Sequence, residues 1–306
     1  MKKNSLQKDV LHCIVLVFAL FLIGIMYYMG LFQKQLLIES HKESLQLLAN
    51  EKAFQIEQYL NSQKEKYQIL ASMNVFKEAV KYSNNPQKTE EAIKRIKELK
   101  EIYPGIALLT KEGIVVVAEN NPAGSDYSDV LGFPANDEYV FRFMRYYDQS
   151  RKKDYFGAMG PIYDRVDTSK VIGVIGYDIE LEKVGAIMEE TLDKKTNEAY
   201  LIDESGLLLS GSEFIGQTNK NGILIQEVKS DGAKACLSDL KEYGKDGLIE
   251  KHEEEIGAQY INYMGDAVFG AHAYVPSIMG CVITEEGVEE VFGQSMGDYL
   301  FNIFNK

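Results

Sequence analysis

The segment Phe141-Arg142-Phe143-Met144-Arg145-Tyr146-Tyr147-Asp148 sets two guanidiniums among aromatic rings. Arginine offers a planar fork of donors that matches a carboxylate. Tyrosine offers an apolar wall with one polar tip. Together they suit a small organic anion or zwitterion; the plainer alternative is that Arg142 and Arg145 are charges on a helix face. Asp178 is the second such residue, because it closes an otherwise apolar run, Val171-Ile-Gly-Val-Ile-Gly-Tyr-Asp178. A carboxylate buried without a partner is costly. Asp178 therefore calls for a ligand cation, a backbone donor or an arginine, or else it serves a turn or cap.

Other chemistry has little support. There is no Gly-x-Ser-x-Gly, no His-Glu-x-x-His and no Gly-Lys-Ser/Thr phosphate loop. His41, His252 and His272 stand apart from any nucleophile motif, and His252, within Lys251-His252-Glu253-Glu254-Glu255, reads as a solvated hairpin end. Three cysteines without C-x-x-C spacing exclude a disulfide-rich scaffold and a thiolate zinc site. No enzyme activity, cofactor or metal is expected. The net charge of -13 argues against broad nucleic-acid binding, which relies on a basic surface. With 45% hydrophobic and 26% charged residues, the chain has the composition of folded globular proteins.

The elements that must position these side chains begin at a membrane. Residues Leu11 to Phe32 contain no Asp, Glu, Lys or Arg. As a helix that run is about 33 Å long, enough for a hydrocarbon core of about 30 Å. A cleaved signal peptide is the alternative, but the run is too long and no small-x-small site follows it. Lys2, Lys3 and Lys8 precede the span, so residues 1–10 are expected in the cytoplasm and everything after residue 32 outside.

From Gln33 to Tyr82 there is neither Pro nor Gly, which predicts one long stalk helix over 33–82. Ala49, Ala53, Ile56, Leu60, Gln63, Tyr67 and Leu70 recur at steps of four and three, as in a helix–helix seam. That stripe meets either a second copy of the chain, in a homodimer, or the chain's own domain. Ser83-Asn84-Asn85-Pro86 breaks the helix, and Thr89 to Glu101 forms another. The pattern then turns to strands. Hairpins are expected around Lys111-Glu112-Gly113 and Asp203-Glu204-Ser205-Gly206, at a spacing of about 94 residues. Val171 to Ile179 reads as a strand, and Ala233 to Tyr243 as a short helix. Gly247–Lys251, Gln259–Met264, Ala267–Val275 and Met279–Thr284 read as further strands. Cys236 and Cys281 fall on a helix and a strand that can pack together. Two buried free thiols are expected there, with a disulfide as the alternative.

This order of elements resembles the double Cache family, the extracytoplasmic sensor regions of chemoreceptors and sensor histidine kinases. The likeness runs from Gln33 to about Phe292. It is carried by Ile56–Ala71, similar to the family's long N-terminal helix, by Lys170–Leu181 and Glu198–Leu208, and by Phe269–Ile283 as the closing strands. The family often has Gly-Trp before its last strand, where this chain has Gly280-Cys281. The resemblance implies an α+β fold of two PAS-like antiparallel-sheet modules. These are a membrane-distal one at 83–190 and a membrane-proximal one at 191–290, with an exit helix at 291–306.

The resemblance also implies a ligand site in the distal module. Amino-acid-binding members hold the carboxylate with an Arg-x-Trp-Tyr segment and the amine with an Asp of the Gly-Val-x-Gly-x-Asp strand. Arg145 matches the arginine, Tyr147 stands in the Trp position, Asp178 matches the aspartate, and Tyr163 suits the wall. The interval from Tyr147 to Asp178 is shorter than in the family by about one strand pair. Members usually continue into a second span and an output domain. This sequence reaches Lys306 where that span is expected, so either the chain is truncated there or it acts through a separate signalling partner. The resulting expectation is a membrane-anchored extracytoplasmic sensor for an amino acid, carboxylate or amine. The alternative is an anchored interaction protein without small-molecule sensing.

Overall fold

The computed structural model describes residues 3–128, 139–148, 153–190, 197–210, 223–251 and 258–292. Helix α1 is a single element from Lys3 to Ser72. Its apolar N-terminal part, with Leu16, Phe18, Ile23 and Met26 among its exposed side chains, is the one helix among the described residues long and apolar enough to cross a membrane.

The stripe of four-and-three spacing is buried within the chain itself. Ala49, Ile56 and Leu70 are 0% exposed and Leu60 is 1% exposed. This corrects the expectation of a homodimer through that seam, because the stripe is already occupied by the chain's own strands. A helix one face of which lies on a sheet has the same period as one paired with a second helix. Along the stripe, the opposite face of α1, with Leu47, Phe54 and Ile69, is exposed.

The breaker-free stretch is also not one helix to Tyr82. Met73 is extended (ψ 122°), and a second helix, α2 (Asn74–Lys81), follows it. No Pro or Gly causes the break. The turn lets Phe76, Ala79 and Val80 enter the core. Gly173 leaves the room for this, since a Cβ there would lie 2.3 Å from Val80 Cγ1. Helix α3 (Pro86–Leu99) starts with Pro at its first turn and Asn85 as N-cap, whose side chain accepts from the Gln87 and Lys88 amides.

Two antiparallel sheets follow. The first comprises β1 (Ala107–Leu109), β2 (Val115–Ala118), β3 (Arg142–Asp148), β4 (Lys153–Tyr163) and β5 (Val171–Asp178), in the order β2-β1-β5-β4-β3. Arg142 and Arg145 lie on strand β3, not on a helix. Helix α4 (Leu181–Glu189) leads to the second sheet. That sheet comprises β6 (Asn197–Ile202), β7 (Ala258–Ile261), β8 (Ala267–Val275) and β9 (Gly280–Gly287), in the order β6-β9-β8-β7.

The second order is the first one without its β2 strand. In that place Leu207 and Leu208 make isolated bridges, Leu208 to Ile202. Both expected hairpin turns carry a glycine in the left-handed region, Gly113 (φ 89°) and Gly206 (φ 83°). Helix α1 lies along one face of both sheets and joins their cores.

Helix α5 (Asp231–Lys251) covers the other face of the second sheet and is longer than expected. Residues 247–251 are helical, not a strand. One glycine within a helix costs only about 1 kcal/mol, too little to end it at Gly247. Cys236 on α5 and Cys281 on β9 form a disulfide, with Cα atoms 6.4 Å apart, in place of the expected free thiols. A short helix, α6 (Val288–Phe292), starts before the anticipated exit helix; positions 293–306 lie outside the described residues.

Candidate ligand pocket

The register of the first sheet sorts its side chains onto two faces. Met144 is opposite Gly157, which is opposite Asp178, and Ala107 is opposite Gly176. These residues, with Leu109, Val115, Tyr146 and Met159, share the face away from α1. The other face carries Phe143, Phe156, Ala158, Ile175 and Tyr177, which pack toward the helices.

The face away from α1 holds a cavity of ≈ 60 Å³. A water needs about 10–15 Å³ measured in this way, so the space admits a small organic group. The floor is apolar and low: Gly105, Ala107, Gly157 and Gly176 keep it open, and Leu109, Val115, Met144 and Met159 wall it. Asn121 and Tyr127 come over it from the segment after β2.

One end is polar. Tyr146, which lines the cavity, donates its hydroxyl to Asp178 Oδ1. Asp178 is buried, and its amide donates to the Pro104 carbonyl at 2.8 Å. Gly105 stands against this carboxylate in the left-handed region (φ 71°), and a Cβ there would lie 2.3 Å from Asp178 Oδ2. No other residue takes that position without strain and a clash.

Of the three expected ligand-binding residues whose side chains are described, Asp178 stands against two residues that line the cavity, Tyr146 and Gly105, while Arg145 and Tyr163 do not line it. Arg145 alternates to the opposite face of β3, opposite Phe156, and its Nη1 donates to the Leu224 carbonyl at 3.4 Å. Tyr163 ends β4 and is 39% exposed. Tyr147 lies on β3 one residue past Tyr146, opposite Asp154; its side chain is outside the described residues. The residue the sequence reading passed over is Tyr146. Strand alternation would have found it, but only once the β3–β4 register was known. Arg142, on the same face of β3 as Met144 and Tyr146, is the arginine on the cavity side of the sheet.

The histidines are accounted for elsewhere. His41 Nδ1 pairs with Glu286 Oε2 at 2.7 Å, and His272 Nε2 is 3.3 Å from the Tyr274 hydroxyl; His252 lies outside the described residues. Tyr67 and Tyr177, buried on the helix side, are pushed up by burial and serve as hydrogen-bond donors, Tyr67 to the Pro161 carbonyl at 2.6 Å.

A five-stranded antiparallel sheet with a long helix on one face and a cavity on the other, followed by a second sheet of the same order less one edge strand, defines a tandem α+β module. Residues 33–290 match the model of the Cache domain, and the chain belongs to the double Cache family. No curated protein sequence matches it.

Among solved structures, the chain is similar to the sensor domain of the Vibrio cholerae histidine kinase DctB (9% identity, TM-score 0.53), covering 83% of this chain and 98% of that one. It is similar also to the ligand-binding domain of the Pseudomonas fluorescens chemoreceptor CtaA in complex with L-serine (13% identity, TM-score 0.53, 81% and 98% covered). A third is that of the Pseudomonas aeruginosa amino-acid chemoreceptor PctC in complex with GABA (13% identity, TM-score 0.51, 80% and 99% covered). At these identities the likeness is one of fold.

Proposed function

We propose that this chain is a membrane-anchored extracytoplasmic sensor that binds a small amine-bearing ligand, an amino acid or a simple amine, in its first sheet module. The observation that carries this reading is the pairing of Asp178 with Tyr146 at one end of a small apolar cavity. A carboxylate with a phenol hydroxyl accepts an ammonium group, and the Met, Leu and Val walls accept a short carbon chain. Arg142, on the same face, is the cation available to a ligand carboxylate. The neighbours in complex with L-serine and GABA, both amines, support the ligand class.

The exposed apolar part of α1 acts as a single membrane anchor, with the N-terminal lysines inside. The Cys236–Cys281 disulfide supports an oxidising compartment for the rest. The two sheets are then the distal and proximal modules, at 83–190 and 191–290. A change at the pocket reaches the membrane through α1, which packs on both sheets.

The test is a thermal-shift screen of the full chain in detergent against amines, amino acids and organic acids. A ligand at a hundred times its dissociation constant stabilises by about 2.7 kcal/mol, which a melt resolves. Asp178→Asn and Tyr146→Phe are expected to abolish the shift. Arg142→Gln is expected to abolish it for amino acids and spare it for simple amines. A response retained in full by both Asp178→Asn and Tyr146→Phe would place the ligand elsewhere.

A further inference from the structure

The second sheet repeats the carboxylate device of the first. Glu285 on β9 is directly opposite Gly270 on β8, as Asp178 on β5 is opposite Gly157 on β4. On the third strand, Tyr260 lies two residues past the partner of Gly270, as Tyr146 lies two past the partner of Gly157. Each tyrosine covers its glycine and gives its hydroxyl to the carboxylate, Tyr260 to Glu285 Oε1 at 2.8 Å.

Two features set the second copy apart. First, it is filled. Gly232 of α5 also closes on Tyr260, and a Cβ at Gly232 would lie 2.4 Å from the tyrosine hydroxyl oxygen. An organic ligand has no room there. Second, it holds two carboxylates. Glu198 on β6 is directly opposite Glu285 in the β6–β9 register; they are 6% and 2% exposed.

Tyr200 also donates to Glu285 Oε1, at 2.9 Å, and Tyr263 donates to Glu198 Oε1 at 2.7 Å. Glu285 Oε2 is buried and within good hydrogen-bond geometry of no group among the described residues; the Asn262 side chain is the donor that lies toward this carboxyl. The other titratable groups on this side are Tyr274 and His272 of β8, Asp266 in the β7–β8 turn, and Asp231, Lys234 and Asp239 of α5. Lys234 is exposed and paired with Asp231 at 2.9 Å. Among the described residues neither glutamate has an ion pair.

We propose that Glu198 and Glu285 form a proton-binding site in the second module, so that the chain reads external pH at one sheet and a small molecule at the other. Two adjacent buried carboxylates without a cation cannot both ionise at low cost, and an idle hydroxyl on Glu285 costs less than an unsolvated negative oxygen. The proton adds to a carboxylate oxygen as the pair is protonated and leaves to solvent as pH rises. Burial pushes Glu198 up to about 8, against the Tyr263 hydrogen bond, and burial pushes Glu285 up as well.

The sign follows. A carboxyl raised in the fold contributes its stability in full below the unfolded value of about 4.5 and loses it as pH climbs toward about 8. The change falls on strands β6 and β9, and Glu286, next along β9, is the residue paired with His41 of α1.

The test uses the full chain in detergent without added ligand. Melting temperature is followed from about pH 5 to about pH 9 for wild type, Glu198→Gln, Glu285→Gln and the double variant. Glutamine mimics the neutral acid. Each variant is expected to melt close to wild type at the acid end and several degrees higher at the alkaline end, the double variant showing the flattest profile. Infrared spectroscopy is expected to show a protonated-carboxyl band at neutral pH that Glu198→Gln or Glu285→Gln removes. Profiles parallel to wild type in both single variants, or a neutral-pH band that neither removes, would overturn the proposal. Should one variant fail to fold, the other and the infrared band decide.

Discussion

Lys52 of α1 donates its ammonium to the Ile187 carbonyl at 2.6 Å, and also to the Glu190 carbonyl. Both acceptors are at the C-terminal end of α4, where helix carbonyls lack intrahelical partners and the helix dipole favours a positive charge. The lysine is fully buried, and burial pulls its pKa down while Glu190 and Glu51 resist. It fastens the stalk to the segment that connects the first sheet to the second.

Replacing Lys52 separates the two sides of that balance. Lys52→Met keeps most of the aliphatic volume but strands the carbonyls, for an expected loss of about 1–3 kcal/mol. Lys52→Ala adds a cavity and is expected to cost more, about 2–5 kcal/mol. Denaturant melts of the full chain measure both. A Lys52→Met chain as stable as wild type would mean that burying the charge offsets its hydrogen bonds.

The disulfide closes a sequence separation of 45 residues. On the chain-entropy account a loop of that size is worth roughly 4 kcal/mol, and measured values are commonly 2–4 kcal/mol. Cys281→Ser, or a strong reductant, is therefore expected to lower the melting temperature of the full chain markedly. Unchanged melting under reductant, with thiol labelling showing that both cysteines have been freed, would show that the bond does not support the fold.

Acid acts at the first sheet in the opposite sense to the glutamate pair. Lys81 beside Asp164 holds its carboxyl down at about 2, helped by the Val166 amide. A depressed carboxyl contributes stability above its unfolded value of 3.8 and loses it as pH falls toward about 2. Asp164→Asn should flatten the acid limb of the melting profile between about pH 4 and pH 2 without changing the alkaline limb. A steep acid limb retained in the variant would assign it to other carboxylates.

Much of this architecture is legible in the residues. The apolar run, the stripe from Ala49 to Leu70 and the two Gly-turned hairpins each carry a local period or breaker. Asp178 stands out because it is polar in an apolar strand. What the residues do not carry is register. Whether Tyr146 or Tyr147 faces the cavity depends on which residue of β4 each opposes, and a slip of one reverses every side chain. The same blindness hid Glu198 and Glu285, which lie far apart in sequence and directly opposite in the sheet. The stripe on α1 was legible as a seam but not as a choice of partner, since a strand surface and a second helix satisfy the same spacing.

The stalk is pinned as well as packed. Thr284 donates to the Leu45 carbonyl at 3.0 Å, Gln46 to the His272 carbonyl at 2.8 Å, and Ser277 to Glu57 through its amide and hydroxyl at 2.7 and 2.6 Å. Higher up, Tyr67 and Tyr177 add two more links across to the first sheet. These bonds are spaced along more than six turns of one rigid rod, so the rod cannot creep. A glide of even one residue's rise, about 1.5 Å, misaligns all of them together. If α1 carries the signal as proposed, its displacement is a matter of detents: the rod stays in one notch or jumps to another, and a gradual input at the sheets leaves it as a stepwise movement.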